Sequence, residues 1–342
     1  STLFGKNTIA GAINITTNRP TDEFEAYIDG AYRTELEATD FTGMISGGIT
    51  DNLRGRVVIN KYDDKGYVEN KAQGGRDAPK RDGSSFRGML DWDATDNLNF
   101  FFKAEHHEFD VDGRQQVISK ASDSAIAIYR GVGDPNFKPG FDYEQYDLGF
   151  PGQGLFDDTE SNVAQLNIEW RLGNYTLKSI TAYTDYEFTN ALDSDYSPLV
   201  FLSRARTEEH EQFTQEFLFS TATGGFVDFL GGVFYQDEEL SNNRNTQVIF
   251  SNVPPVEAAI LANPALAPLN LPPGAIDGIG YNTFDQDAQS WSIFAEFTFN
   301  FTDTLRLTAG ARYSEDEKDA AKVGTLENVN GLIPDPLLFT LW

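Results

Sequence analysis

The sequence predicts an all-β protein, a transmembrane antiparallel β-barrel, on the strength of three observations. Long segments alternate regularly between apolar and polar side chains, as strands with two different faces do. Short turns alternate with long connections along the chain. Aromatic residues make up 13% of the chain, with 27 Phe against only 2 Met, and this composition favours strands over helices.

The clearest alternation lies in residues 288–301, where Trp291 and Ile293 share one face with other apolar side chains. A short turn at residues 302–304 then leads into a second alternating segment, residues 305–314. Such a pair predicts an antiparallel hairpin. Its first strand is longer than the roughly 5–6 residues that are usual in globular proteins.

The same alternation recurs along most of the chain. It is found in residues 23–33, 41–50, 53–62, 84–93, 98–109, 159–172, 175–189, 207–220 and 226–240. Together with the hairpin, these segments bring the prediction to about eleven strands.

Long connections follow every second strand. They are residues 63–83, 110–158, 190–206 and 241–287, and a further one is expected to begin near Asp316. Short turns on one rim and long loops on the other are typical of bacterial outer-membrane barrels, whose short turns face the periplasm. Within the loops, residues 120–130 and 256–263 have the spacing of short helices, and the Pro-rich stretch 254–273 predicts an ordered cap rather than a linker.

The hydropathy of the chain is compatible with this barrel. No run of about 18 apolar residues occurs, so no membrane-spanning helix is expected. A mean hydropathy of −0.41 suits a barrel wall, because only every second residue of a strand faces lipid. Ser1 does not open a secretory signal peptide, so the chain is expected to begin mid-protein or after processing.

Composition and motifs argue against several other classes of protein. The net charge of −27 argues against nucleic-acid binding, which needs basic surfaces. The absence of Cys excludes disulfides and thiolate metal sites. No nucleophile elbow, phosphate-binding loop or dinucleotide fingerprint occurs, so neither enzymatic activity nor a cofactor is expected.

Two groups of residues superficially resemble metal sites. His106 and His107 are neighbours on a predicted strand, so their side chains point to opposite faces and are expected to be structural. Asp110, Asp112 and Gly113 open like a calcium-binding loop, but the acidic residue that would close such a loop is missing. A turn is expected there, and no metal site is predicted.

The longest predicted loop, residues 110–158, contains the candidate ligand-binding side chains. The candidates are Tyr129, Phe137, Phe141, Tyr143 and Tyr146. They could line a ligand vestibule or pack the loop against itself, and the sequence leaves both alternatives open. The loop holds nine carboxylates against four basic residues, so a strongly anionic ligand is not favoured.

Two arginines on the last predicted strand, Arg306 and Arg312, are expected to face inward. They could attract anions. An ordinary lumenal salt-bridge network with Glu296 and its neighbours is the favoured interpretation.

The first twenty residues carry an ordered motif. It consists of Leu3, Phe4, Gly5, Lys6, Asn7, Gly11, Ala12, Ile13, Asn14, Ile15, Thr17, Arg19 and Pro20. This order resembles the end of the plug domain of TonB-dependent outer-membrane receptors, the siderophore receptors among them, just before the first barrel strand. Weaker similarities, such as Gln215-Glu216-Phe217, extend the resemblance over essentially the whole chain.

The resemblance implies a barrel of about twenty-two strands, of which this chain would hold about half. Residues 1–20 would then be the C-terminal end of the plug, and residues 21–342 the N-terminal half of the barrel with long extracellular loops. The segment that contacts TonB, most of the plug and the strands that close the barrel are expected to lie outside this chain.

The resemblance also implies a function, the energy-coupled uptake of a scarce ligand in the bacterial outer membrane. The expected partners are TonB, outer-membrane lipid and a small-molecule or oligosaccharide ligand. A ferric siderophore is the favoured ligand, with cobalamin or an oligosaccharide as alternatives. Two other classes stay open, a passive porin and a secreted adhesive β-protein.

Overall fold

A computed structural model describes most of the chain. The described residues are 16–70, 79–113, 118–132, 135–140, 144–145, 155–195 and 201–336. They form one antiparallel sheet of 11 strands and a separate pair of very short strands, which confirms the predicted all-β wall. No helix in these ranges is long and apolar enough to cross a membrane, a finding that has no bearing on a β-barrel.

The wall strands follow one another in chain order, each hydrogen-bonded to the next. They are β1 (Glu25–Arg33), β2 (Ala38–Thr50), β3 (Leu53–Asp64), β5 (Lys80–Thr95), β6 (Leu98–Asp112), β8 (Phe156–Leu172), β9 (Tyr175–Asp193), β10 (Leu202–Thr221), β11 (Val227–Val248), β12 (Gly278–Asn300) and β13 (Arg306–Asn328). The short parallel pair consists of β4 (Glu69–Asn70) and β7 (Glu144–Gln145). Two helices, α1 (Asp123–Val132) and α2 (Pro254–Leu261), lie in the long loops.

The two faces of the wall differ in polarity. On β12, the Trp291 and Ile293 side chains are 45% and 51% exposed on the outward face, whereas Ser292 and Phe294 are buried on the inward face. An open row of large apolar side chains suits a lipid environment. Toward the long loops the outward apolar band ends in a belt of aromatic residues. The belt consists of Tyr183, Phe213, Tyr235, Trp291 and Tyr313.

Several strands run further toward the long loops than the alternation predicts. The predicted loop residues 241–248, 278–287 and 316–328 are paired strand, so the prediction of a loop beginning near Asp316 is wrong. Beyond the aromatic belt both faces of a strand meet water. The apolar alternation therefore disappears there while backbone pairing continues.

The short-turn rim is braced from one hairpin to the next. The Asn52 side chain donates to the Asp93 carbonyl at 3.0 Å, and the Asn97 side chain donates to the Arg171 carbonyl at 3.0 Å. Gly173 adopts a φ of 61° in the turn between β8 and β9, a conformation that favours glycine. The hydrogen bonds of Asn52 and Asn97 satisfy backbone carbonyl groups at the turns, which would otherwise need water as a partner.

The Pro-rich connection between β11 and β12 is an ordered cap, as predicted; the cap comprises residues 249–277 together with residues 329–336. Its helix α2 starts at Pro254. Proline lacks a backbone N–H, but the first residues of a helix have no partner for that group within the helix, so its absence has no cost there. The Glu257 carboxylate accepts the Gly274 N–H at 2.5 Å. Fully buried Asp277 accepts hydrogen bonds from the Ser251 hydroxyl at 2.5 Å and from the Asn330 side chain at 2.9 Å.

The two predicted loop helices are present within a few residues of their predicted positions. Helix α1 covers residues 123–132 against a prediction of 120–130, and α2 covers residues 254–261 against 256–263. The shift in α2 arises because a proline pair fits the first helical turn, so the helix includes the prolines.

Gly232 on β11 lies where neighbouring backbone and side chains approach closely inside the wall. A Cβ on Gly232 would lie 2.5 Å from the Phe217 carbonyl oxygen, so Gly232→Ala should displace backbone and destabilise the barrel by about 1–3 kcal/mol. The measurement is the temperature at which heat-modifiable gel mobility is lost in the full-length protein.

Gly280→Ala on the neighbouring β12 is the matched control, because its Cβ would meet only ordinary contacts, the nearest at 3.8 Å. Equal melting of the two variants would show that the close contact at Gly232 does not constrain the wall.

Candidate functional site

The chain segment before β1 lies against the inner face of the wall and is held there by Arg19. Its guanidinium forms an ion pair with Asp91 at 3.0 Å and donates to the Asn99 side-chain oxygen at 3.1 Å. It also lies over the Phe101 ring, 4.5 Å from the centroid, where the ring face attracts a cation. All three partners belong to β5 or β6.

A second arginine completes this anchor. Arg54 of β3 contacts the same Asp91 carboxylate at 3.4 Å and bonds Asp93 and Asp22. Asp91 is 5% exposed, so a single buried carboxylate is shared by an arginine of the wall and an arginine of the incoming segment. Such shared, charge-assisted bonds hold more firmly than isolated exposed pairs. We call Arg19, Arg54, Asp91 and Asp93 the inner anchor.

A cavity of about 410 Å³ opens beside the inner anchor. Thr16, Thr17 and Arg19 line one side of it, and Lys103 and Lys178 of the wall line another. Most of the lining residues are polar, although Phe101, Ile168 and Ile180 also contribute to the surface.

On the long-loop side, two of the candidate aromatic residues contact each other. Tyr129 of α1 stacks on Phe137 with ring centroids 4.3 Å apart. The Tyr129 hydroxyl donates to the Asp195 carbonyl at 2.7 Å, and the Arg130 side chain donates to the Phe137 carbonyl at 3.1 Å. The contact between these two rings packs the loop against itself. A role of the rings in ligand binding stays a prediction.

The other predicted site residues lie outside the described part of the chain. They are Phe141, Tyr143 and Tyr146 of the loop and Gly5, Lys6, Asn7, Gly11 and Asn14 of the plug-end motif. Arg19, the one charged residue of that motif that the structure describes, proves to be the anchor to the wall.

The two adjacent histidines point to opposite faces of β6, as predicted. His106 faces outward and bonds the Asn162 side chain at 2.8 Å, whereas His107 faces inward and bonds Glu105 at 3.2 Å. No group of three or more His, Cys, Asp or Glu side chains suited to a metal ion occurs among the described residues.

The turn that was predicted at Asp110, Asp112 and Gly113 is wrong in part. Asp110 and Asp112 continue β6, and only Gly113, with a φ of 92°, leaves the strand. The strand continues because each of these residues pairs with β8, which the local sequence does not reveal.

Of the two inward arginines, Arg312 is held by nearby side chains of β12 and β13. Its Nε donates to the Ser314 hydroxyl at 2.9 Å, another of its nitrogens donates to the Ser292 hydroxyl, and the group lies over the Phe294 ring. Arg306 lines a cavity of about 960 Å³ at the short-turn end together with Glu296. A salt-bridge network around Glu296 stays a prediction.

The inner anchor yields a testable consequence. In the full-length protein, Arg19→Gln removes the ion pair to Asp91 and should speed amide hydrogen exchange in residues 16–22 by roughly fivefold, equivalent to about 1 kcal/mol. The control is Arg33→Gln, an exposed arginine at the opposite end of β1. Unchanged exchange in Arg19→Gln would show that the ion pair to Asp91 does not hold this segment on the wall.

A pair of carboxylates beyond the aromatic belt makes the wall sensitive to pH. Asp110 and Asp158 face each other across β6 and β8, on the outer ends of both strands. Burial raises the pKa of each carboxyl, and the neighbouring acids Glu108 and Asp82 raise that of Asp110 further. The pKa of Asp158 is raised by burial first and by Asp110 next.

Because these pKa values lie above those of the unfolded chain, ionisation destabilises the pair. The penalty begins to shrink as pH falls through the folded pKa values and is gone below the pKa values of the unfolded chain. Asp158→Asn should therefore stabilise the outer ends of β6 and β8 at neutral pH by about 0.3 kcal/mol, allowing for solvent screening. Hydrogen exchange, corrected for its intrinsic pH dependence, should be slower in Asp158→Asn than in the wild type at neutral pH. This difference should shrink on acidification. Asp303→Asn, in a short turn, is the control; a gain that grows in acid would contradict the assignment.

The sequence and the structure were compared with known proteins. Residues 108–331 match the family described as TonB dependent receptor-like, beta-barrel. No curated protein matches the sequence at a significant level.

Among solved structures, the ferric yersiniabactin uptake receptor from Yersinia pestis superposes with a TM-score of 0.70 at 16% identity, over 93% of this chain and 43% of that one. The ferripyoverdine receptor of the Pseudomonas aeruginosa outer membrane superposes with a TM-score of 0.60 at 13% identity, over 90% and 40% of the two chains. The siderophore receptor PiuA from Acinetobacter baumannii gives a TM-score of 0.51 at 13% identity, over 90% and 48%.

At these identities the superpositions establish the fold, and the chain spans less than half the length of each of these three receptors. The family match covers well over half of the present chain. The chain therefore belongs to the TonB-dependent receptor family, whose β-barrels lie in the outer membrane of Gram-negative bacteria.

Proposed function

We propose that the protein serves TonB-dependent, energy-coupled uptake of a scarce ligand, and that this ligand is a ferric siderophore. The observation that carries the proposal is the family match over residues 108–331. The choice of a siderophore is supported by the receptors of similar fold, which are named for ferric yersiniabactin and for ferripyoverdine. In this proposal residues 1–20 end the plug and residues 21–342 form the first half of the barrel.

The inner anchor supports a gated barrel over a passive porin. Arg19 holds the segment before β1 on the inner face of the wall, where a freely open channel would need clear space. The side chains of Asn99 and Phe101 that receive it project into the lumen. TonB would act on a region that lies outside this chain, and the chemistry expected of the protein is binding and passage, with no bond made or broken.

The test is iron uptake by cells that express the full-length receptor in a background deficient in other receptors. Uptake of a radioactive ferric siderophore should depend on the receptor, rise on iron starvation and disappear when TonB is deleted. Uptake that persists without TonB would contradict the proposal. A liposome-swelling assay serves as the control, since free leakage of sugars through the purified protein would identify a porin.

A further inference from the structure

The outer ends of β10–β13, beyond the aromatic belt, sort their charges by face. Side chains of odd-numbered residues share the outward face and those of even-numbered residues share the inward face, because the registers between these strands are continuous. The outward face carries only acidic charge. Its carboxylates are Glu209, Glu211, Asp237, Glu239, Asp285, Asp287, Glu315, Glu317, Asp319 and Glu327.

Every basic residue of the same strand ends lies on the inward face. These residues are Arg204, Arg206, Arg244, Lys318 and Lys322. They outnumber the inward carboxylates Glu208, Glu238 and Asp316. The inward face of these four strand ends therefore carries an excess of positive charge in a chain whose net charge is −27.

The centre of this basic wall is a pair of like charges. Arg206 of β10 lies directly opposite Arg244 of β11, an arrangement that normally destabilises a sheet. Arg204 lies two positions further out on the same face, toward the loops. Placing cations directly opposite each other costs stability, and a ligand that neutralises them would recover that cost.

The surroundings of Arg206 leave part of its guanidinium group unused. It forms an ion pair with Glu208 and lies over the Phe188 ring at 5.6 Å. Its Nε is buried and has no hydrogen-bond partner among the residues that the structure describes. A donor that is withdrawn from water without an acceptor is unfavourable unless a further group binds it.

We propose that the inward wall formed by Arg204, Arg206 and Arg244 binds a multiply charged anionic ligand, through carboxylate, catecholate or phosphate oxygens. This inference deepens the proposed function and rests on it for the identity of the site as a ligand vestibule. Arginine suits this chemistry because its planar fork can donate two parallel hydrogen bonds to such oxygens.

The outward carboxylates complement this wall. They repel anions from the outer surface of the strands, while the basic inner wall attracts them into the lumen. An excess of one sign of charge along a cleft concentrates ligands of the opposite sign, and clefts lined by one sign alone raise the rate of binding by roughly 10-fold to 10³-fold. Sorting charges by face lets an acidic protein admit an anion.

The test compares two double variants of the full-length receptor that change the net charge equally. Arg206→Gln with Arg244→Gln alters the inward wall. Thr207→Glu with Asn243→Glu alters the adjacent cross-strand pair, whose side chains lie on the outward face. Binding of three probes is measured by titration calorimetry at low salt: a ferric tris-catecholate, which is multiply anionic, a neutral ferric tris-hydroxamate, and inorganic tripolyphosphate.

The wild-type receptor should bind the two anionic probes in preference to the neutral chelate. The inward variant should weaken anion binding by roughly tenfold, an effect that added salt reduces, and the outward variant should change it by less than about twofold. Arg204→Gln, which alters an exposed side chain, serves as a second inward variant if the double variant fails to fold, as judged by heat-modifiable mobility.

Equal effects of the two double variants, a preference for the neutral chelate, or no binding of either anion would overturn the inference. These outcomes are separable from failure of the proposed function. TonB-dependent uptake of the neutral chelate alone refutes the anionic site and leaves the transport function intact. Anion binding that depends on Arg206 and Arg244, without TonB-dependent uptake, supports the anionic site and refutes the transport function.

Discussion

Backbone hydrogen bonding in lipid is the constraint on which the rest of this structure depends. An unpaired amide in hydrocarbon costs several kcal/mol, so each interior strand of the wall must pair with both neighbours over the whole width of the membrane. The registers of the described strands meet this demand. Among these strands, register shifts occur only next to short turns, between Gly48 and Thr50 and between Asp93 and Thr95. At Gly232 the pairing brings backbone and side chains so close that no side chain fits.

Continuous pairing also fixes what each face can do. Once the register is set, alternate residues are committed to lipid or to the lumen, and a displacement by one residue would exchange the two faces. The consequences are visible at His106 and His107, which are adjacent in sequence and have entirely different surroundings. The inner anchor uses the same rule, because Asp91 and Asn99 lie on the lumenal face and can therefore meet Arg19 from the incoming segment.

The membrane-spanning part of the fold could be predicted from the sequence because lipid imposes a period of two on each strand. Residues 288–300 show that period, and the hairpin they form with β13 is as predicted. Beyond the aromatic belt the solvent is water on both sides, and the signal vanishes, which is why residues 316–328 are wrongly predicted as loop. The cap could be recognised from its prolines, although the buried Asp277 that organises it has no local sequence signature.

The candidate site was less predictable, since its features depend on residues that are distant in sequence. Arg19 and Asp91 are individually ordinary, and only the folded wall brings them within 3.0 Å.

The charge of the ligand site is also hard to predict from the sequence. A count over the longest loop finds an excess of carboxylates and disfavours an anionic ligand, yet a count cannot register which face a side chain occupies. On β10 the charges of Arg204 and Arg206 are cancelled by those of Glu209 and Glu211 when they are summed along the sequence. In the sheet the same residues separate into a basic inner wall and an acidic outer one. Electrostatic complementarity acts between surfaces, so the polarity of the vestibule follows from strand register rather than from composition.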